Sequence, residues 1–138
     1  MKNIQDLDVG RFGIYKFGDV FEVVPGPSHK ASESSNSVNA IYPIIGASKD
    51  NLIDKCLDTY DYNEGYYTLA KNGNSAGTIH KQNQKFSKTG DVYVLNKLIN
   101  FNDNINLLLI TIQLNAKYDW TNKLNKDKFK DIEIYLYI

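Results

Sequence analysis

YYTLAKNGNSAGTIHKQNQKF, residues Tyr66–Phe86, is the stretch on which the reading of the fold turns. Gly65–Ala70 (GYYTLA) is aromatic and β-branched enough for a strand. Lys71–Gly77 (KNGNSAG) sets glycines among Asn and Ser, and Asn72-Gly73 is a dipeptide of the hairpin type. Gly73 is expected to need a positive φ, which a residue with a Cβ resists. Thr78–Lys81 then reads as the returning strand. The plain reading is a hairpin with a polar tip.

Working outward, Asp91–Leu95 (DVYVL) is the next strand. Upstream, Ile41–Gly46 (IYPIIG) is a short buried strand with Pro43 near its start, where proline is tolerated. Phe12–Val24 (FGIYKFGDVFEVV) is a strand, or a short helix running into a strand, with a turn signal at Gly18-Asp19. Between them, Pro25–Ala40 is a long Pro, Gly, Ser and Asn loop. Asp50–Asp58 is either one helical turn or an irregular loop. Asn104–Tyr118 is the predicted helix: Ile105, Leu108, Leu109, Ile112 and Ala116 recur at helical spacing, and Asn102 or Asp103 can cap it. Its β-branched Ile110, Thr111 and Ile112 keep a strand as the competing reading. The expected core face is Ile105/Leu108/Leu109/Ile112, so Leu109→Asp is expected to unfold the domain by burying an unpaired charge. Asn125–Lys130 is a short final helix and Ile132–Ile138 (IEIYLYI) a terminal strand. The fold class is therefore α/β (α+β), with a bent mixed β-sheet and a few packed helices.

A length of 138 residues predicts one domain over 1–138. A chain of that size buries roughly two-thirds of its unfolded surface, so its core needs no covalent staple. The lone Cys56 excludes an internal disulfide and fits a reducing cytoplasm. The most apolar run, Leu107–Ile112, falls far short of the ~18 residues of a spanning helix, and MKNIQDLDVG carries no secretory h-region. Net charge is zero but unevenly laid out: residues 1–70 hold six bases and ten acids, and residues 71–138 hold ten lysines and six acids. From Gly65 to Gly90 there are four lysines and no acid. Such a stretch is either a solvated lysine face or a patch that steers a phosphate backbone.

Enzymatic constellations are thin. His29, His80 and Cys56 share no metal-site spacing, and a Cys56/His80 nucleophile pair has nothing further to support it. No P-loop, GxGxxG or GxSxG occurs. Asp50, Asp54, Asp58 and Asp61 with Lys49 and Lys55 have the residue types of a metal-dependent nuclease, but in a spacing that reads better as an exposed polar loop. Two segments stand out instead. In Ile41–Asn51 a buried strand delivers a small-residue corner and then Ser48, Lys49 and Asn51. In the hairpin, Lys71, Asn72, Gly73, Asn74, Ser75, His80, Lys81, Gln82 and Lys85 surround the turn. Glycines let backbone N–H groups approach a phosphate, lysines add sequence-independent affinity, and Asn or Gln amides pair with adenine in the major groove. With sixteen asparagines and one arginine, any base reading falls to Asn, Gln, Lys and Ser.

Five blocks, in order, carry a resemblance. They are Phe17-Gly18-Asp19-Val20-Phe21-Glu22-Val23 with Gly26; Tyr42-Pro43-Ile44-Ile45-Gly46-Ala47-Ser48 with Asp50-Asn51; Tyr67–Gly77 with Gln82 and Phe86; Asp91-Val92-Tyr93-Val94-Leu95; and Lys117-Tyr118-Asp119-Trp120 with Lys123-Leu124-Asn125, Phe129 and Ile134-Tyr135-Leu136. From Phe17 onward the chain resembles the target-recognition domains of type I restriction–modification specificity subunits, particularly the BcgI-like group. It departs from that pattern at Asn51-Leu52, where the family has Asn-Gly. It departs again at Ile79-His80-Lys81-Gln82, which lacks the family's aromatic, and at Tyr137, where the family has proline.

The resemblance implies a non-enzymatic DNA-binding module that recognises a short half-site in double-stranded DNA. It implies DNA methyltransferase and endonuclease subunits as partners, with S-adenosylmethionine bound by the methyltransferase and no cofactor on this chain. It also implies long spacer helices, for which residues 1–138 leave no segment; a homodimer is one arrangement left open. A protein-interaction or decoy module that binds restriction–modification subunits remains the alternative, and a small nuclease the third reading.

Overall fold

The computed structural model describes residues 12–48, 50, 55–71, 73–118 and 124–138. Phe12–Val24 resolves into a strand, one helical turn and a second strand: β1 (Phe12–Lys16), α1 (Phe17–Val20) and β2 (Phe21–Val23). The turn exists because Phe17 and Val20 both drop into the core while Phe17 N and Gly18 N donate to Ile132 O and Lys130 O at 2.8 and 3.0 Å. The Pro25–Ala40 loop holds a single 3-10 turn at Ala31–Glu33 and leads into β3 (Tyr42–Ile45). Part of the segment read as a helical turn or loop forms a short strand, β4 (Cys56–Leu57). The hairpin strands follow as β5 (Tyr67–Ala70) and β6 (Ile79–Lys81), then β7 (Ser87–Lys88) and β8 (Val92–Lys97). Helix α2 (Asp103–Asn115), the single turn α3 (Lys126–Phe129) and β9 (Glu133–Tyr137) complete the order.

The mixed α+β class is as read from the sequence, but the strands divide into three small sheets. The central one, β2-β8-β5-β6, is antiparallel throughout. β1 and β9 pair antiparallel, and β4-β3-β7 contains the parallel pair β3–β7. Strands this short, separated by Gly- and Pro-bearing loops, cannot continue one hydrogen-bonded ladder around the core. Period-two alternation sorts the central sheet into two faces. Tyr67, Leu69, Ile79 and Leu95 join Phe17, Phe21, Ile110, Leu114, Phe129, Ile134 and Leu136 in the larger core. Val94, cross-strand from Thr68, joins Ile45, Tyr62 and Phe86 in a smaller one that ties the β3 sheet to the back of the central sheet.

The predicted helix forms, capped by Asn102 through Asn104 N at 2.9 Å, but it is rolled away from the expected face. Its buried residues are Asn106, Ile110 and Leu114; Ile105 is 41% exposed, Leu108 61% and Ile112 58%, and Leu109 is half-buried. The expected Ile105/Leu108/Leu109/Ile112 core face is thus corrected, and Leu109→Asp no longer tests the packing. Apolar residues fall on opposite sides of α2, interspersed with polar ones, so their spacing does not by itself fix the buried face; polar bonds do. Asn106 Oδ1 accepts from Tyr137 N and its Nδ2 donates to Tyr137 O, both at 2.8 Å. Gln113 does the same for Tyr135, accepting from its N at 2.7 Å and donating to its O at 2.9 Å. Both carboxamides stand against the edge of β9 that β1 leaves open. On the other side Ile79 N donates to Thr111 Oγ1 at 3.2 Å, and Asn115 Nδ2 donates to Ala76 O.

Asn106→Leu should therefore destabilise the domain by about 1–3 kcal/mol despite adding apolar surface, because it strands main-chain groups of Tyr137. Ile110→Asp should unfold it, whereas Leu108→Asp should stay within about 0.5 kcal/mol of the parent. Urea denaturation of the three variants checks the assignment; a folded Ile110→Asp alongside an unfolded Leu108→Asp would reverse it.

Candidate nucleic-acid interface

The hairpin connecting β5 and β6 is closed by Gly77 N to Ala70 O at 2.8 Å and Ala70 N to Thr78 O at 3.0 Å. Its tip is longer than a two-residue turn, with a 3-10 turn at Gly73–Ser75. Gly73 has the expected positive φ, +75°. Gly77, at φ +92°, also lies against α2: a Cβ there would come within 2.5 Å of Leu114 Cβ and 2.7 Å of its carbonyl carbon. The turn is thereby fastened to the helix, and Asn74 is left exposed at the tip with Ser75 half-buried.

The twelve sequence-predicted residues do not form one cluster. Lys49, Asn51 and Asn72 lie outside the described residues. Ser48 and His80 meet: His80 Nε2 is 3.2 Å from Ser48 O, and Ser48 Oγ donates to Asp50 O at 2.6 Å. This contact joins the corner after β3 to the edge strand β6, which places the two segments singled out in the sequence side by side. Gln82 is a correction. It is 1% exposed and its Nε2 donates to Thr68 Oγ1 at 2.9 Å, so its amide is occupied inside the protein and not offered to a base. Gly73 is buried and acts through backbone shape.

The lysines differ from one another in what holds them. Lys71 Nζ lies 4.6 Å from the centroid of the Tyr93 ring, and Lys85 Nζ lies 4.9 Å from that of Tyr60. Lys81 Nζ is 3.4 Å from Asp103 Oδ2. Asp103 also accepts from Lys97 Nζ at 3.0 Å and from the buried Tyr67 hydroxyl at 2.9 Å. Burial pushes the Asp103 carboxyl up, but the Lys97 and Tyr67 hydrogen bonds, followed by the lysine charges, outweigh it and hold the group below its ordinary value. Burial first, and then the Asp103 bond, raise the Tyr67 phenol. This node fixes the start of α2 to the middle of the central sheet, and no local motif announces it: Tyr67 and Asp103 are 36 residues apart.

A second unforeseen cluster ties down the Pro25–Ala40 loop. His29 Nδ1 is 2.8 Å from Glu33 Oε2 and its Nε2 is 2.6 Å from Asp61 Oδ2. Both ring nitrogens can donate only when the ring is protonated. The Glu33 bond raises the His29 pKa most, burial opposes it, and Asp61 adds to the rise. Among the described residues no group of three or more His, Cys, Asp or Glu is placed to hold a metal ion, and no helix is long and apolar enough to cross a membrane.

Residues 11–136 match the family model described as type I restriction modification DNA specificity domain. No curated protein is matched by the chain. A solved S subunit of a type I restriction–modification system from M. genitalium is similar over 92% of this chain and 34% of its own, at 16% identity and a TM-score of 0.70. The HsdS subunit from Thermoanaerobacter tengcongensis is similar over 91% and 33%, at 14% identity and a TM-score of 0.62. At such identities the likeness is one of fold, and the chain spans about a third of the length of each of these relatives.

The His29 cluster yields a pH dependence of definite sign. A folded-state pKa raised above the ordinary imidazole value of 6.5 means that the cluster's contribution is complete below about pH 6.5 and is lost as pH rises through the folded value. An NMR titration should show the His29 ring titrating above 6.5 in the parent and lower in Asp61→Asn; a parent value at or below 6.5 would dismantle the cluster.

Proposed function

The chain belongs to the family of type I restriction modification DNA specificity domains, and from that premise we propose that it reads a short half-site in double-stranded DNA through the major groove. Its reading would direct partner subunits that methylate or cut the DNA. The observation that carries the assignment of a reading surface is the acid-free stretch from Gly65 to Gly90, which runs through the inner strand β5, exposes Asn74 at the turn and returns as the edge strand β6. DNA repels carboxylates and attracts ammonium groups, and a tip of Asn and Ser offers donors and acceptors without charge. The Ser48–His80 contact supports including the corner after β3, with Lys49 and Asn51, in the same surface.

Roles divide by chemistry. Lys71 and Lys85, supported by aromatic rings and without a carboxylate within salt-bridge distance among the described residues, serve phosphates. Lys81 serves them less, since Asp103 shares its charge. Asn74 and Ser75 would meet base edges or shape the turn, with Asn72 a further candidate by sequence, and Ser48 and His80 form a second, adjoining pair. Catalysis and S-adenosylmethionine binding belong to the methyltransferase and endonuclease partners, and the setting of all three is the cytoplasm.

Fluorescence anisotropy with duplex DNA tests the reading. The chain by itself should bind near the non-specific range of about 10⁻⁴–10⁻⁶ M at physiological salt and tighten steeply as salt falls. Lys85→Ala should lower the salt slope by about one unit and Lys81→Ala by less. On a preferred site obtained by random-sequence selection, Asn74→Ala should cost roughly 1–3 kcal/mol, with little effect on random DNA. Absence of binding at low salt would end the DNA reading; equal losses on both DNAs would move base recognition away from the tip.

A further inference from the structure

Lys88, in β7, is a charged residue where charge is costly. It is 9% exposed, and its Nζ donates to Ser28 Oγ at 2.6 Å. Among the described residues no carboxylate lies within 4 Å of it, and the same holds for Lys71. Both lysines line the same cleft, so their charges oppose each other there. Burial first, and then the charge of Lys71, hold the Lys88 ammonium below its ordinary value; Asp61 opposes this from a distance, already engaged by His29. Among the described residues this ammonium has a hydroxyl and no carboxylate for a partner, and it shares its cleft with a second cation, an arrangement that costs stability. An anion would relieve both terms at once.

The surroundings provide room for one. Lys71 and Lys88 line a cleft of about 220 Å³ between the end of β2 and β8, together with Gly26, Pro25 and Tyr93. Gly26 lets the chain pass against Tyr62, whose hydroxyl a Cβ there would strike. The walls are held on both sides. Val24 N donates to Val94 O at 2.8 Å, His29 N donates to Lys88 O at 2.8 Å, and Lys71 N donates to Asp91 O at 3.0 Å. Lys71 Nζ is further steadied over the Tyr93 ring. Two ammonium groups in a preformed cleft, one of them held by the Ser28 hydroxyl, match the charge and oxygens of a phosphate.

We propose that the Lys71–Lys88 cleft is a phosphate-binding site, occupied by a backbone phosphate when the domain engages DNA. Only the second half of this statement rests on the DNA reading; the anion site stands or falls by itself. Lys88 is then a positioning and binding residue that a search for exposed basic patches overlooks, because its stem is buried and only its charged end reaches the cleft.

The test uses the whole chain and Lys88→Met, which keeps the apolar stem and deletes the charge. Inorganic phosphate, titrated against chloride at constant ionic strength, should shift the amide resonances of Ser28, Lys71 and Lys88 in the parent and leave them still in the variant. It should raise the parent's Tm but not the variant's, while without phosphate Lys88→Met should melt no lower than the parent. A purely structural lysine would instead give a variant with a lower Tm and a phosphate response like the parent's. With duplex DNA, Lys88→Met should lower the salt slope by about one unit on every sequence alike. Phosphate binding with an unchanged DNA slope would keep the anion site and assign it to a free phosphate-bearing ligand. No phosphate response in the parent, with DNA binding equal in parent and variant, would overturn the site and leave the DNA reading untouched.

Discussion

Two carboxamides on α2 occupy the place where another strand would lie against β9. A primary amide side chain carries the same donor and acceptor as a peptide group, so Asn106 and Gln113 satisfy Tyr137 and Tyr135 as a neighbouring strand would. They are seven residues apart, about two helical turns. Thr111 and Asn115, on the other flank, meet the edge of β6 and the hairpin turn. One helix thereby closes edges of two sheets that do not pair with each other. Open edges invite pairing with foreign chains, and here they are blunted from within. This arrangement dictates the roll of α2, and the roll dictates that Ile110 and Leu114 fill the large core while Ile105, Leu108 and Ile112 stay outside.

The charges follow from the same placement. With the start of α2 held at the centre of the sheet, Asp103 gathers Lys97, Lys81 and the Tyr67 hydroxyl into one node. Glu33 and Asp61 are spent on His29. Those three acids are committed to partners within the chain, and Lys71, Lys85 and Lys88 are left without a carboxylate partner among the described residues. A net charge of zero thus conceals a segregated surface. Under the proposed reading, such a surface in a domain with one arginine would supply affinity through lysines and leave discrimination to neutral amides and hydroxyls.

Much of the element order was legible in the chain. The glycines of KNGNSAG marked the β5–β6 turn, and Gly73 does adopt a positive φ. Phe12–Val24 was readable as a strand, or a short helix running into a strand, with a turn signal at Gly18-Asp19, where the structure has two strands about one helical turn, and IEIYLYI alternates as β9 does. The β4 and β7 strands were not readable: at two residues each they have no periodicity of their own and exist because β3 lies between them. Of the candidate site, the two segments that carry Ser48 and His80 were both visible, but not that they touch. Gln82 was chosen for its amide, which suits adenine in solution and suits Thr68 once buried.

What the sequence by itself determined is therefore local: where the chain turns, which stretches can be strands or helix, and that lysines and amides crowd one acid-free segment. Turn chemistry and charge content act over a few residues, so they can be read in order along the chain. Only the tertiary structure decided which side of a helix with apolar residues on opposite faces is inside, which lysines are neutralised and which amides are consumed. Those outcomes depend on partners 14 to 36 residues distant, such as Thr68 for Gln82, Tyr137 for Asn106 and Tyr67 for Asp103. A buried polar group must find a partner wherever the fold supplies one, and in α2 that requirement outweighed the pattern of its leucines and isoleucines.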